Sequence, residues 1–456
     1  MANIAIGLVI AVVMETWPDN RFVVASKDWA LDTAMRIASA YGEAPGKSTP
    51  SLTLIDIDEE TWRNPLWGGG EPLRAPRDGL WRLIKFALDH KARYLVVDVL
   101  IENPPDPEDR QFIQEIENVA SRLDVARDQH ILFVRSLRHP LDASGLLASE
   151  LRPSPLDAII DRHISLLNVA PYFRVSRDGL LREWQLWRVG CQRDDTNGNG
   201  RWLVLPSVQL AIAVLRSNRS ADLQTAIRDK PESPPAKCVV DIAALTGTIP
   251  SAGAVERKMQ HWLRDRRDLT GTAELNFSDA DQNDLTNRIF FKFSYPVKHP
   301  DIQLISAGRI LAGRIDGVDA NLSGGVVVIG QSFEDARDEH ATALGAMPGA
   351  MVLINSIDSM LDLRFLHPPS EFYRIVLEAA SIIAIGYAMA RFDSFIATTV
   401  ILVSFLPLLG CAIYILLRAS IWYDLSVPIL GIFLHRTVEG LLKFVDGRSQ
   451  TAKGEH

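Results

Sequence analysis

The stretch GGVVVIGQSFEDARDEHATALGAMPGA, Gly324 to Ala350, brings together residue types that could do chemistry. An apolar run, Val326 to Ile329, ends at Gly330, and Asp335, Asp338 and His340 follow closely. A phosphate loop needs several glycines and a lysine, so that backbone N–H groups surround the anion. Here Gln331, Ser332, Phe333 and two acids follow Gly330, and their negative charge opposes phosphate. Metal binding fits the residue types better. Asp335, Asp338 and His340 offer oxygen and nitrogen ligands, and Asp56, Asp58 and Asp98 end two other apolar runs, as carboxylates do in magnesium sites. Acids after strands also form turns and cap helices, and no nucleophile with a distinctive setting accompanies these. A metal-dependent enzyme built on Asp56, Asp98 and Asp335 is therefore the lesser reading. The expectation is no catalytic residues, no bound metal and no cofactor.

Other candidates weaken on inspection. In DTNGNG, Asp195, Asn197, Asn199 and Gly200 match the first half of a calcium loop, but the bidentate acid expected at its end falls on Pro206. A hairpin turn fits better. Glu378 and Asp424 fall within or beside apolar runs near the C-terminus, where acids are costly and often functional. Both are expected near an outer membrane interface, where a carboxylate costs little. Pro407 with Gly410 inside another run suggests a kink or helix contact. Glu378, Pro407 and Asp424 are thus candidates for relaying a signal.

The elements that must position these groups are legible in outline. LTLIDI reads as a strand, RDGLWRLIKFALDHKA as a helix from near Pro76 and RYLVVDVLI as a second buried strand, a β-α-β unit. DPEDRQFIQEIENVASRLD and HILFVRSL continue with helix and strand. A turn at Asp178-Gly179 and an Asn-Gly signal then lie between further strands, and PSVQLAIAVLR reads as a helix. Residues 220–284 read as an insertion. RIFFKFSY resumes strand character, ISAGRILAG is a short helix, Val326–Ile329 closes the sheet and PGAMVLINSIDSMLDLRFL is a helix. Trp29 to Gly42 has helical spacing. The predicted fold class is α/β (α+β), with a mixed, largely parallel sheet.

Membrane segments flank this domain. Phe395 to Leu417 is 23 residues without a charge, and about 20 apolar residues cross a bilayer as a helix. Ile375–Ala390 and Ile421–Leu434 read as two further spans. Met1 to Met14 is uncharged and reads as an anchor. The expected division is an anchor over 1–16, an extracytoplasmic domain over 17–371, three spans over 372–434 and a cytoplasmic tail over 435–456. Arg391, Arg436, Lys443, Arg448 and Lys453 lie on one side and Arg418 alone on the other, which places the large domain outside. The net charge is -8 with no long basic block, against nucleic-acid binding. Three cysteines make no disulfide framework: Cys191 and Cys238 share one side and their pairing stays open, and Cys411 lies in a span.

Five separated segments carry a resemblance: LTLIDIDEETW, APRDGLWRLIKFALDHKARYLVVDVLIENP, SRDGLLREWQLW, LPSVQLAIAVL and VVVIGQSFEDARDEHATALGAMPGAMVLINSIDSMLD. In this order, with three spans after them, they resemble the second type of CHASE domain, the cyclase/histidine kinase-associated sensory extracellular modules. Asp56, Asp58, Arg77, Asp98, Asp178, Arg182, Asp335, His340 and Asn355 fall on matching positions. Of these, Asp56, Asp58, Arg77, Asp98, Asp335, His340 and Asn355 are the candidate ligand-binding residues. Two departures stand out. Thr342-Ala343 replaces Thr-Pro, and Leu353 and Ile354 stand before Asn355 where histidine and alanine are usual. The resemblance implies a sensor without catalysis. No output domain is expected after the spans, so the signal would pass to a separate effector protein. The alternative is a structural membrane anchor that recruits a cytoplasmic effector and forms a homodimer through its outer domain.

Overall fold

In a computed structural model, the described residues are 21–41, 50–70, 75–102, 107–126, 128–138, 150–171, 173–193, 200–217, 288–290, 301–314, 322–361, 366, scattered positions between 373 and 392, and 394–422. They divide into two compact units, one of residues 44–365 and one of residues 1–43 with 366–456.

The larger unit begins with β1 (Leu52–Ile57), preceded in the chain by helix α1 (Arg21–Tyr41) of the other unit. Then come α2 (Glu59–Arg63), α3 (Arg77–Asp89), β2 (Tyr94–Val97), α4 (Pro107–Ala126) and β3 (His130–Val134). Next are β4 (Leu137–Arg138), β5 (Glu150–Leu151), α5 (Asp157–Ile160), β6 (Leu166–Val169), β7 (Phe173–Val175) and β8 (Leu181–Gln185). They are followed by β9 (Trp187–Arg193), β10 (Gly200–Pro206), α6 (Val208–Arg216), β11 (Arg288–Phe290), β12 (Ile302–Ser306) and α7 (Ala307–Leu311). The unit ends with β13 (Val326–Gln331), β14 (Glu339–Thr342), β15 (Gly345–Pro348) and α8 (Gly349–Leu361).

Six strands form the main sheet in the order β12-β1-β13-β2-β3-β6, and every pairing in it is parallel. Every residue of β1 and β2 is buried. Such fully buried strands need cover on both faces, as parallel sheets have. Ile55, Leu95, Val97, Phe133 and Ile329 join one core with Leu80 and Ile84 of α3 and Ile116 of α4. On the other face α8 packs against β13 and β1, and α6 packs against α8. Gly330 makes that contact close, because a Cβ there would meet the Ala350 Cβ at 2.4 Å.

The smaller sheets supply the antiparallel pairing, β10-β9-β5-β4 in one and β11-β8-β14-β15 with β7 in the other. The turn expected at Asp178-Gly179 joins β7 to β8, with Gly179 at a φ of +85° and the Leu180 amide donating to Asp178 Oδ1. The expected hairpin is the antiparallel pair β9 and β10; residues 194–199 of its turn lie outside the described residues.

Two readings need correction. Val326–Ile329, expected to close the sheet, lies inside it, with β13 between β1 and β2. Ile305 and Ser306, expected in the helix ISAGRILAG, belong instead to β12, which forms one edge of the sheet as β6 forms the other and leaves Leu304 exposed.

In the other unit, α1 begins earlier than expected, at Arg21, and packs against α9 (Ser394–Ala419). The expected middle span lies in α9, with Pro407 inside it and Cys411 exposed as a free thiol. Among the described residues no helix is long and apolar enough to cross a membrane, and the described side chains omit much of α9 between 395 and 405. The anchor over 1–16, the insertion over 220–284, Cys238, Glu378, Asp424 and the tail over 435–456 lie outside the described residues, as does the Cys191 side chain.

Candidate ligand-binding groove

Ligands of open parallel sheets bind outside the carboxyl ends of the strands, because connections leaving there diverge and open a crevice. In this chain that edge is lined by acids. Asp56 on β1 stands level with Gly330 on β13, and on its other side with Ser306. Asp98 follows the level pair Val97 and Ile329, and its amide donates to the Ile329 carbonyl at 2.8 Å. Asp56 and Asp98 therefore flank Gly330 on the two neighbouring strands, each about 4.8 Å away. Ile55, Ile57, Val97 and Val99 belong to the core under α3 and α4. Strand alternation then turns Asp56, Gly330 and Asp98 to the opposite side, where Ala350 in the first turn of α8 lies against Gly330.

Asp56 is buried, accepts a hydrogen bond from the Ser332 hydroxyl at 2.8 Å on Oδ2, and has no partner on Oδ1 among the described residues. Burial pushes its carboxyl up to about 6; the Ser332 hydroxyl pulls down, and the charge of Asp58 adds to the rise. Asp98 is pushed up to about 7, by burial first and then by the negative charge of Asp338, with His340 pulling down.

A groove of about 510 Å³ opens beside Asp98. It runs past Val99 and Leu100 after β2, Arg135 and Ser136 after β3, Phe173 of β7 and Gln331 of β13, and reaches Arg337 and Asp338. Asp338 is fixed from two directions. Its carbonyl accepts from the Gly349 amide at 2.7 Å, and its Oδ1 lies 3.1 Å from His340 Nε2. The His340 ring meets Phe173 edge-on at 6.2 Å between centroids.

The floor under β3 is a polar network absent from the candidates read in the sequence. Arg135, buried, donates to Asp157, to Asn168 and to the Arg152 carbonyl. Glu102, also buried, accepts from the Ser136 amide at 3.0 Å, its hydroxyl at 2.6 Å and Arg152 at 2.9 Å. The available signal was an arginine directly after a buried strand, since a charge there must find partners.

The other candidates do different work. Asp58 caps α2, accepting from the Thr61 amide at 2.8 Å and its hydroxyl at 2.6 Å. Arg77 is paired with Asp109 at 2.6 Å, both buried. Asn355 is buried in α8 and donates to the Met351 carbonyl at 3.0 Å. Arg182 is buried and bonded to Asp178 through two nitrogens, which holds the Asp178 carboxyl below its ordinary value. Asp335 is exposed in a 3-10 turn, away from the groove lining. Among the described residues no three His, Cys, Asp or Glu side chains gather as a group that could hold a metal ion. The cluster of Asp56, Asp98 and Asp335 that a metal-dependent enzyme would need is not formed.

The sequence model of the CHASE2 domain matches residues 5–391. The chain belongs to the CHASE2 domain family. Comparison with curated proteins and with solved structures returns no match. CHASE2 domains are sensory modules of extracellular type.

Proposed function

We propose that this CHASE2 chain is a membrane-anchored extracytoplasmic sensor subunit, which passes a signal through its C-terminal helices to a separate effector protein. The observation that carries the sensing role is the groove beside Asp98, in the place where open parallel sheets receive ligands. Its walls come from segments far apart in sequence, so an occupant would bias how they sit against one another. A stimulus acts only through different affinity for two states, and a groove between separate segments meets that need. For the membrane part, the support is the uncharged run from Phe395 to Leu417 and the basic residues Arg436, Lys443, Arg448 and Lys453 beyond the last apolar segment.

The test has two arms. In a variant lacking the native cysteines, Val175→Cys, at an exposed position, should react with a membrane-impermeant maleimide in intact cells, whereas Ser449→Cys should react only after permeabilisation. Protection of Val175→Cys in intact cells would reverse the topology and end the extracytoplasmic reading. The full-length protein in mild detergent should also co-purify a partner that is lost when Arg436–His456 is removed. The same partners with and without the tail would rule out its role in recruiting the effector.

A further inference from the structure

The charges that line the groove are unequally engaged. Arg135 is bonded to Asp157, Asn168 and the Arg152 carbonyl, and Arg188 donates to Gln185 at 2.6 Å. Arg337 is exposed, held in the left-handed region at a φ of +51°. On the acidic side, Asp338 meets His340, while no hydrogen bond to the Asp98 carboxylate is found among the described residues. Asp98 thus carries a half-buried carboxylate beside a second carboxylate. Burying a charge without compensation is costly, and a counter-charge from outside the protein relieves it.

We propose that the groove binds a small organic cation, a primary alkylamine or diamine, whose ammonium group sits between Asp98 and Asp338. Resting on the groove as the sensing site, this assigns the class of ligand. An anion would meet both carboxylates while Arg135 and Arg188 are already engaged. A bare metal ion lacks the gathering of ligands it requires. An alkyl chain suits the remaining walls, since Leu100, Leu137, Pro171 and Phe173 offer apolar surface along the groove. A volume of about 510 Å³ is ample for a five-carbon diamine and lies in the usual range for small-molecule sites.

Binding is coupled to protons. Near neutral pH the Asp98 carboxyl is partly protonated, because burial and Asp338 raise it to about 7. An arriving ammonium displaces that proton, so affinity rises with pH. The charged groups facing this point are Asp338 and His340, with Arg135, Arg188 and Arg337 along the lining.

The test is isothermal titration of the full-length protein in detergent micelles with 1,5-diaminopentane, and with glutarate as a dianion of the same chain length. The diamine should bind at pH 8 and about tenfold more weakly at pH 6, as expected for release of one proton across that interval. Asp98→Asn and Asp338→Asn should each weaken it at least tenfold at pH 8, with thermal melting showing that both variants fold. Diamine binding unchanged in both variants would overturn the site. Glutarate binding without diamine binding would overturn the ligand class and leave the groove as the sensing site. No binding of either probe would overturn the ammonium assignment, while the topology and effector are judged by the labelling and co-purification above.

Discussion

Gly330 and Ala350 touch so closely that a Cβ added to the glycine would lie 2.4 Å from the Cβ of Ala350. The absent side chain lets the first turn of α8 lie against β13, between the strands that carry Asp56 and Asp98. Overfilling a packed contact costs about 1–3 kcal/mol, and here the obstacle is helix rather than a flexible side-chain tip. Gly330→Ala should lower stability by about that amount in urea melts, and adding Ala350→Gly should recover part of it. A double variant no better than the single one would mean that the cost arises elsewhere.

Asp98 makes stability depend on pH in an unusual direction for a carboxylate. Between the ordinary carboxylate range and about 7 the folded form keeps a proton that the unfolded chain has released. Stability therefore falls as pH rises across that interval, and the buried Asp56, raised to about 6, acts with the same sign. Asp98→Asn should be more stable than the wild type by roughly 2–4 kcal/mol at pH 8, with the advantage shrinking towards zero by pH 4. Urea titrations at the two pH values check this; an advantage independent of pH would contradict it.

Arg77 falls on a family-matched position, yet the structure spends it on Asp109 in the interior. Removing one partner of a buried pair leaves an uncompensated charge and costs about 3–5 kcal/mol. Arg77→Ala should show that loss in chemical denaturation. Arg77→Met with Asp109→Leu should be much milder. If the double replacement proved as damaging as the single one, the pair would be doing more than neutralising itself.

Asp58 supports the fold by capping. Its bonds hold Thr61, whose hydroxyl also accepts from the Gly308 amide at 2.8 Å and so ties α2 to α7. Asp58→Ala should cost about 1 kcal/mol, and Asp58→Asn little, since asparagine caps equally well. Neither should alter diamine affinity by more than about twofold, because Asp58 is absent from the groove lining. A large change in affinity for Asp58→Asn would place it in the site after all.

Local pattern made much of the larger unit legible. An unbroken apolar run such as Val326–Ile329 declares a buried strand, and the spacing of Leu80, Leu83, Ile84 and Ala87 declares the inward face of α3. The Asp-Gly turn and the strand-end acids declare themselves in the same way, because each depends on neighbours a few residues away. Tertiary structure decided which neighbours meet across the chain. It put β13 between β1 and β2, since a strand buried on both faces fits any interior position until its partners are chosen. It made β12 an edge strand, where weak one-sided burial leaves little pattern to read. It also sorted acids that look alike in sequence. Asp98 borders the groove, Asp58 caps a helix, Asp335 faces solvent, and Asp56 reaches Ser332 across 276 positions of chain. Charge state and role follow from burial and partners, and those are set by contacts too distant in sequence for any local spacing to record.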